Sequence, residues 1–260
     1  MANPNLIFLS NEEYESYWDE LGGVRKSIAA DLAEDEPYVI LDIACGWGYY
    51  TFQLAAARPQ GTVVAVDLLA SAFTEMEEKR AELGAPSNYQ PLVADAMSLP
   101  LRDGVVDLST SFLGMRDIYM TQGKEGCLAT TSEMIRVIKQ KGAIALAVTP
   151  PDLADSEELR LAVEIEGEVF GAKSLPSGFY EETYKMNDVA LSSTKAYSTG
   201  HKLTSDQAKT ELRDGLKIAS DLYGISVPSF DEVWERYGSL IEKHGYGMYS
   251  KITVLRGTRN

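Results

Sequence analysis

Histidine and cysteine are scarce here: two of each in 260 residues. The cysteines, Cys45 and Cys127, form no CxxC pair. Neither a zinc-type metal site nor a disulfide framework is therefore expected. A basic cluster is also missing. Lys and Arg number 24 against 39 Asp and Glu, giving a formal charge of −15. A phosphate backbone would be repelled, so nucleic acid and anionic membranes are not expected partners. No apolar run reaches the roughly 18–20 residues of a membrane span. The opening stretch "MANPNLIFLSNEEYESYWDE" has no basic segment before an apolar core, so no signal peptide is expected and a cytoplasmic location is. There is no internal repeat and no low-complexity tract.

What the sequence does contain is alternation. Residues 11–34 carry Tyr14, Trp18, Leu21, Val24 and Ile28 at helical spacing. Strands are predicted at 38–43, 62–67, 89–95, 105–112 and 142–148. Helices are predicted at 48–57, 71–84 and 124–140, the second with a Ser71 cap and a stop at Gly84. Short β-rich runs alternating with helices predict a parallel sheet covered on both faces, an α/β Rossmann-like doubly wound fold. After Pro150 and Pro151 the pattern changes. A helix is expected at 153–171, a loop at 175–179 and a strand at 189–199. Capped helices follow at 203–224 and 229–245, then a last strand at 249–257. The whole chain reads as one domain: an N-terminal helical segment (1–36), a core (37–150), a cap segment (151–188) and a helical insertion (200–246).

Chemistry is expected at the carboxyl ends of such strands. Asp42, Asp67 and Asp95 end the first three, and Ser111 and Phe112 end the fourth. Asp42 runs into a small-residue turn, Ala44-Cys45-Gly46-Trp47-Gly48. A phosphate-binding P-loop needs a Gly-Lys-Ser/Thr ending, and no lysine lies between Asp42 and Pro59. A dinucleotide turn needs a third glycine where Thr51 stands, and Asp42 would oppose a pyrophosphate. A cationic, phosphate-free ligand fits better, and S-adenosylmethionine is one. Asp42 would attract its ammonium, Gly46 and Gly48 would allow close backbone approach, and Asp67 would accept from the ribose hydroxyls. Asp95 and the Ala96 N–H would read the adenine, with Leu68 and Phe112 on its two faces. Trp47, Tyr49 and Tyr50 either line the cofactor mouth or pack their helix on the sheet. Cys45, with no histidine motif beside it, is not expected to be a nucleophile.

These residues carry a resemblance. "ILDIACGWG" is similar to the first motif of the class I S-adenosylmethionine-dependent methyltransferases, with Ala44 in place of its first glycine. "VVAVDLLASAF", "VADAMSLPLRDGVVDLSTSF" and "EMIRVIKQKGAIAL" resemble the next three motifs, in order and at family spacing over 38–148. Gln140 and Ala143 depart from the fourth, and the acids are intact. The resemblance implies a sheet whose last strand is antiparallel, with 189–199 and 249–257 paired at one edge. It implies cofactor contacts by Asp42, Ala44, Gly46, Gly48, Asp67, Leu68, Asp95, Ala96, Ser111 and Phe112. "SFLGMRDI" also resembles a segment of menaquinone/ubiquinone-type C-methyltransferases, with Asp117 for an asparagine and one residue inserted.

The reading of the acceptor side follows. Met115, Arg116 and Tyr119 are candidate acceptor contacts, and Arg116 and His201 are candidates for a direct role in the reaction. His201 and His244, the only histidines, border the helical insertion. The helices of 203–245, with the cap segment and the first helix, are expected to form a lid over the strand ends. The expected lining is Phe112, Met115, Tyr119, Phe179, Tyr246 and Met248. That suits a small, partly apolar or aromatic acceptor reached by in-line methyl transfer, which asks little of the protein beyond positioning and exclusion of water. Two alternatives stand beside this: a non-catalytic S-adenosylmethionine-binding or regulatory protein, and an NAD-dependent oxidoreductase.

Overall fold

The apolar run after Tyr38 becomes an interior strand of a seven-stranded sheet. The computed structural model describes residues 21–33, 38–171, 173–199, 202–221, 224–247 and 249–260. In chain order, helix α1 (Gly22–Leu32) precedes β1 (Val39–Ile43), α2 (Tyr49–Ala57), β2 (Thr62–Asp67), α3 (Ala70–Leu83) and β3 (Tyr89–Val93). Then come β4 (Val106–Phe112), α4 (Gly114–Val137) and β5 (Ile138–Val148). The remainder is α5 (Glu157–Val169), α6 (Ser177–Met186), β6 (Val189–Ser198), α7 (Ser205–Asp221), α8 (Phe230–His244) and β7 (Lys251–Arg259).

The strand order is β3-β2-β1-β4-β5-β7-β6. β1 to β5 pair in parallel, and β7 runs antiparallel between β5 and β6. The antiparallel last strand is as expected. Order reverses between β1 and β4, so a crevice opens beyond their carboxyl ends. Alternation along each strand fills both faces. Ile40, Val63 and Leu108 pack with Ile28, Phe52 and Leu54 on one side. Leu41, Val66 and Ile144 pack with Met134, Ile135 and Tyr184 on the other.

Several local expectations are corrected. Ser71 does not cap α3. The helix begins at Ala70, and Asp67 Oδ1 accepts from the Leu69 N–H at 3.0 Å just ahead of it. Gly84 does end α3, in the left-handed region at φ 59°. α4 is two helices joined at a kink: Gly123 (φ 65°, ψ −164°) separates an unexpected first part, from Gly114, from the helix that begins at 124 as expected. Residues 138–140 are strand, not helix: Ile138 pairs with Val106, and the register shifts before Ala143 pairs with Leu108. The loop expected at 175–179 overlaps α6. Asp152 accepts from the Ser177 N–H at 2.8 Å and from the Ser177 hydroxyl at 2.5 Å, serving as a long-range cap.

The α7–α8 segment leaves the sheet after β6 and returns at the start of β7, both at the carboxyl edge of the parallel strands. Thr199 N–H to Ser250 O (3.0 Å) and Leu203 N–H to Tyr246 O (2.8 Å) tie its stem. α8 opens on a capping box between Ser229 and Glu232. Tyr237 on α8 donates to Glu168 on α5 at 2.8 Å. Among the described residues, no helix is long and apolar enough to cross a membrane. Tyr14 and Trp18, with residues 11–20 of the expected first helix, and His201 and Met248 lie outside the described residues.

Candidate active site

Three consecutive features of the chain build the cofactor side. β1 carries Asp42 to the crevice, the turn after it reverses direction, and α2 begins at Tyr49. The turn needs unusual backbone: Ala44, Gly46 and Gly48 lie at φ 54°, 52° and 83°. Gly48 is also crowded, since a β-carbon there would sit 2.7 Å from Met76 Cγ, and the Met76 side chain would have to shift. The turn is sewn to β2 by Cys45 N–H to Val66 O at 3.0 Å and by Gly46 N–H to Asp67 Oδ2 at 2.9 Å.

Asp42 is 1 % exposed. Thr51 Oγ1 donates to its Oδ2 at 2.6 Å. Burial raises its pKa to about 7, with the Thr51 hydrogen bond pulling down and the nearby Asp67 carboxylate pushing up. Burial also raises Asp67, against the backbone N–H groups of Leu69 and Gly46. Each Asp67 oxygen accepts one of those N–H groups, which leaves lone pairs for further donors. Two crowded acids beside a glycine turn are an environment that a cationic ligand would relieve. Beyond them, Asp95 is exposed; its Oδ1 accepts from Met97 N–H at 2.8 Å. Ala96 is partly buried. Leu68 and Val93, at the ends of β2 and β3, are 57 % and 54 % exposed, so both hold apolar surface open to solvent.

Other expected contacts are placed differently. Ser111 is buried and its hydroxyl donates to Ile43 O at 2.9 Å, joining β4 to β1 at the switch point. Phe112 is 7 % exposed and packs on Tyr50, ring centroids 5.2 Å apart. It is part of the core. Tyr50 is thus a packing residue, while Tyr49 lies under the Arg25 guanidinium at 5.2 Å. Burial, then Asp42 and Asp67, push the Cys45 thiol well above its usual range, which removes it as a nucleophile.

The acceptor side is built at the ends of β4 and β5. Arg116, in the first turn of α4, donates through Nη1 to Tyr249 Oη at 2.6 Å and through Nη2 to the buried Glu166 of α5. Tyr246 Oη donates to the other Glu166 oxygen at 3.1 Å. Tyr246 is fully buried and is therefore a strut rather than a lining residue. Arg116 and Met115 do border a small pocket, with Leu113, Val148 and Leu175 as its apolar walls. Tyr119 and Phe179 are partly buried against the second core. Thr51, Glu166 and Tyr249 were not foreseen. Glu166 had a signal: with Leu159, Ala162 and Val169 it falls on the buried stripe of an amphipathic helix.

Residues 40–142 match the Methyltransferase domain family. The segment that holds the glycine turn and the row of acids is thus similar to a methyltransferase domain. The glycine turn with its two crowded acids fits the cationic cofactor S-adenosylmethionine. A malonyl-[acyl-carrier protein] O-methyltransferase of Legionella pneumophila is 28% identical over 148 residues, 51% of this chain and 51% of that protein. A demethylmenaquinone methyltransferase of Staphylococcus aureus is 30% identical over 131 residues, 50% of this chain and 51% of that protein. The chain spans about half the length of the curated relatives it matches. A geranyl diphosphate C-methyltransferase of Streptomyces coelicolor, solved with S-adenosyl-L-homocysteine, shares the fold at TM-score 0.56 and 14% identity, over 99% of this chain and 87% of that one. The oxidoreductase alternative is not favoured by this methyltransferase match.

Proposed function

We propose that this protein methylates a small, partly apolar acceptor seated at the carboxyl ends of β4 and β5. The observation that carries this is the crevice beyond the carboxyl ends of β1 and β4, which the glycine turn enters from one side and Leu113, Met115, Arg116, Val148 and Leu175 border on the other. When bound, S-adenosylmethionine supplies an electrophilic methyl group on a sulfonium. Asp42 attracts the ammonium of the cofactor, directly or through water. Asp67 accepts from the ribose hydroxyls with its remaining lone pairs. Asp95 and the Ala96 N–H read the adenine, and Leu68 and Val93 offer it apolar surface. Arg116 is held by Glu166 and Tyr249, so it gives the acceptor wall a fixed edge.

The segments α5, α6 and α7–α8 act as a roof. The stem of the α7–α8 insertion at the carboxyl edge and the Glu166 bridge to α4 support this. A roof excludes water from the transfer, and holding acceptor and methyl group in line lowers the barrier without a dedicated base. The test is methyl transfer from labelled S-adenosylmethionine into a fractionated metabolite extract. A labelled small molecule, lost in Asp67→Ala, is the expected result. Tight cofactor binding with no labelled product from any fraction would favour a binding or regulatory protein instead.

A further inference from the structure

The charges around this crevice are segregated. Asp42, Asp67 and Asp95 gather at the ends of β1, β2 and the loop after β3. The pocket at the ends of β4 and β5 is the reverse. Among its described lining residues none is acidic, in a chain with 39 acids and 24 bases. Its polar members are Arg116, Lys173, Thr149, Ser174 and Tyr180. The Arg116 charge is already balanced by Glu166, which does not line the pocket. Among the described residues, the uncompensated charge of the wall therefore rests on Lys173. Thr149 and Ser174 hydroxyls lie 3.2 Å apart, and burial holds the Tyr180 phenol firmly protonated. All three can donate. Arg116 Nε is buried without a hydrogen-bond partner among the described residues.

We propose that this pocket binds an oxyanion, a carboxylate or phosphate carried by the methyl acceptor, with Lys173 as its ionic contact and the Thr149, Ser174 and Tyr180 hydroxyls as donors. This rests on the methyltransferase reading above. The pocket holds only about 20 Å³, room for the oxyanion head and not for the body of the acceptor, which would lie outside it in the open crevice; the ligand class is an organic anion. The charge balance is favourable. Asp42 and Asp67 face the cofactor cation, so the Lys173 ammonium is left to the acceptor, and an anionic acceptor offsets it where a neutral one does not.

The experiment uses the full chain loaded with S-adenosylhomocysteine and three probes: phenylacetate, phenyl phosphate and the uncharged phenylacetamide. At least one anion should bind about tenfold or more tighter than the amide, as one charge-assisted hydrogen bond provides. Which anion wins separates carboxylate from phosphate. Lys173→Gln should abolish the preference, Lys173→Arg should keep it, and neither should alter S-adenosylhomocysteine affinity. Equal affinity for charged and uncharged probes, no binding of any probe, or a preference that survives Lys173→Gln would each overturn the anion site alone. Failure to bind S-adenosylhomocysteine would instead remove the methyltransferase reading, and the anion site with it.

Discussion

Gly114 makes room for Ala44. A β-carbon on Gly114 would lie 2.6 Å from Ala44 Cβ and 2.8 Å from Ser111 Oγ. Ala44 stands where the family motif has glycine, and it holds φ 54°, a left-handed conformation that costs a non-glycine residue on the order of 1 kcal/mol. The turn thus carries a methyl group that the first residue of α4 must accommodate. Gly114→Ala should cost about 1–3 kcal/mol by overpacking. Ala44→Gly should be neutral or stabilising, and the double variant should lose less than Gly114→Ala alone. Urea denaturation of the four proteins measures this. Strict additivity would show that the two positions do not compete for space.

Asp42 gives the second prediction. Its folded pKa near 7 lies above its ordinary 3.8, so the folded protein holds this proton more tightly than the unfolded chain. Below pH ~4 both forms are protonated, and the contribution to stability is fully present. Between about pH 4 and 7 the unfolded chain ionises first and stability falls, by up to roughly 4 kcal/mol for a shift of about three units. A cofactor ammonium favours the carboxylate, so binding should release a proton near neutral pH, and affinity should rise with pH up to about 7. Calorimetry in two buffers of different ionisation enthalpy reads the proton directly. Thr51→Val removes the hydroxyl that favours the carboxylate and should move the release to higher pH. An unchanged proton count in Thr51→Val would separate Asp42 from cofactor binding.

Asp67 has a structural duty as well as its proposed ribose contact. Asp67→Ala should weaken S-adenosylmethionine binding by roughly 1.5–3 kcal/mol, the range for hydrogen bonds to a charged group. It should also lower stability, because the Gly46 and Leu69 N–H groups lose their acceptor. Asp67→Asn retains one oxygen acceptor and should be the milder change in stability. Equal cofactor affinity for the wild type and a folded Asp67→Ala would end the ribose assignment.

Arg116 and Glu166 should behave as one unit. Removing either partner of a largely buried pair leaves the other uncompensated, at a cost of about 3–5 kcal/mol. Arg116→Met and Glu166→Met should each be severe, and the double variant should cost clearly less than their sum. Thermal or urea unfolding of the cycle provides the coupling. A negligible coupling would mean that α5 is held to α4 by apolar packing alone.

The strands, most helices and the row of acids at strand ends were legible in the sequence. Period-two apolar runs, glycine stops and small-residue turns are short-range signals, and Asp42, Asp67, Gly46 and Gly48 are placed by them. Boundaries failed where a distant partner decided. Ile138 becomes strand because Val106 pairs with it, and α6 is capped by Asp152, 25 residues upstream. Side-chain direction was the larger gap. Ser111 donates to Ile43, 68 residues away, Phe112 turns inward onto Tyr50, and Arg116 meets Tyr249 across 133 residues. Sequence spacing places a residue at the end of a strand. Whether its side chain faces the ligand, the core or a partner is settled by which buried groups need a hydrogen bond or a counter-charge, and that follows only from how the helices pack over the sheet.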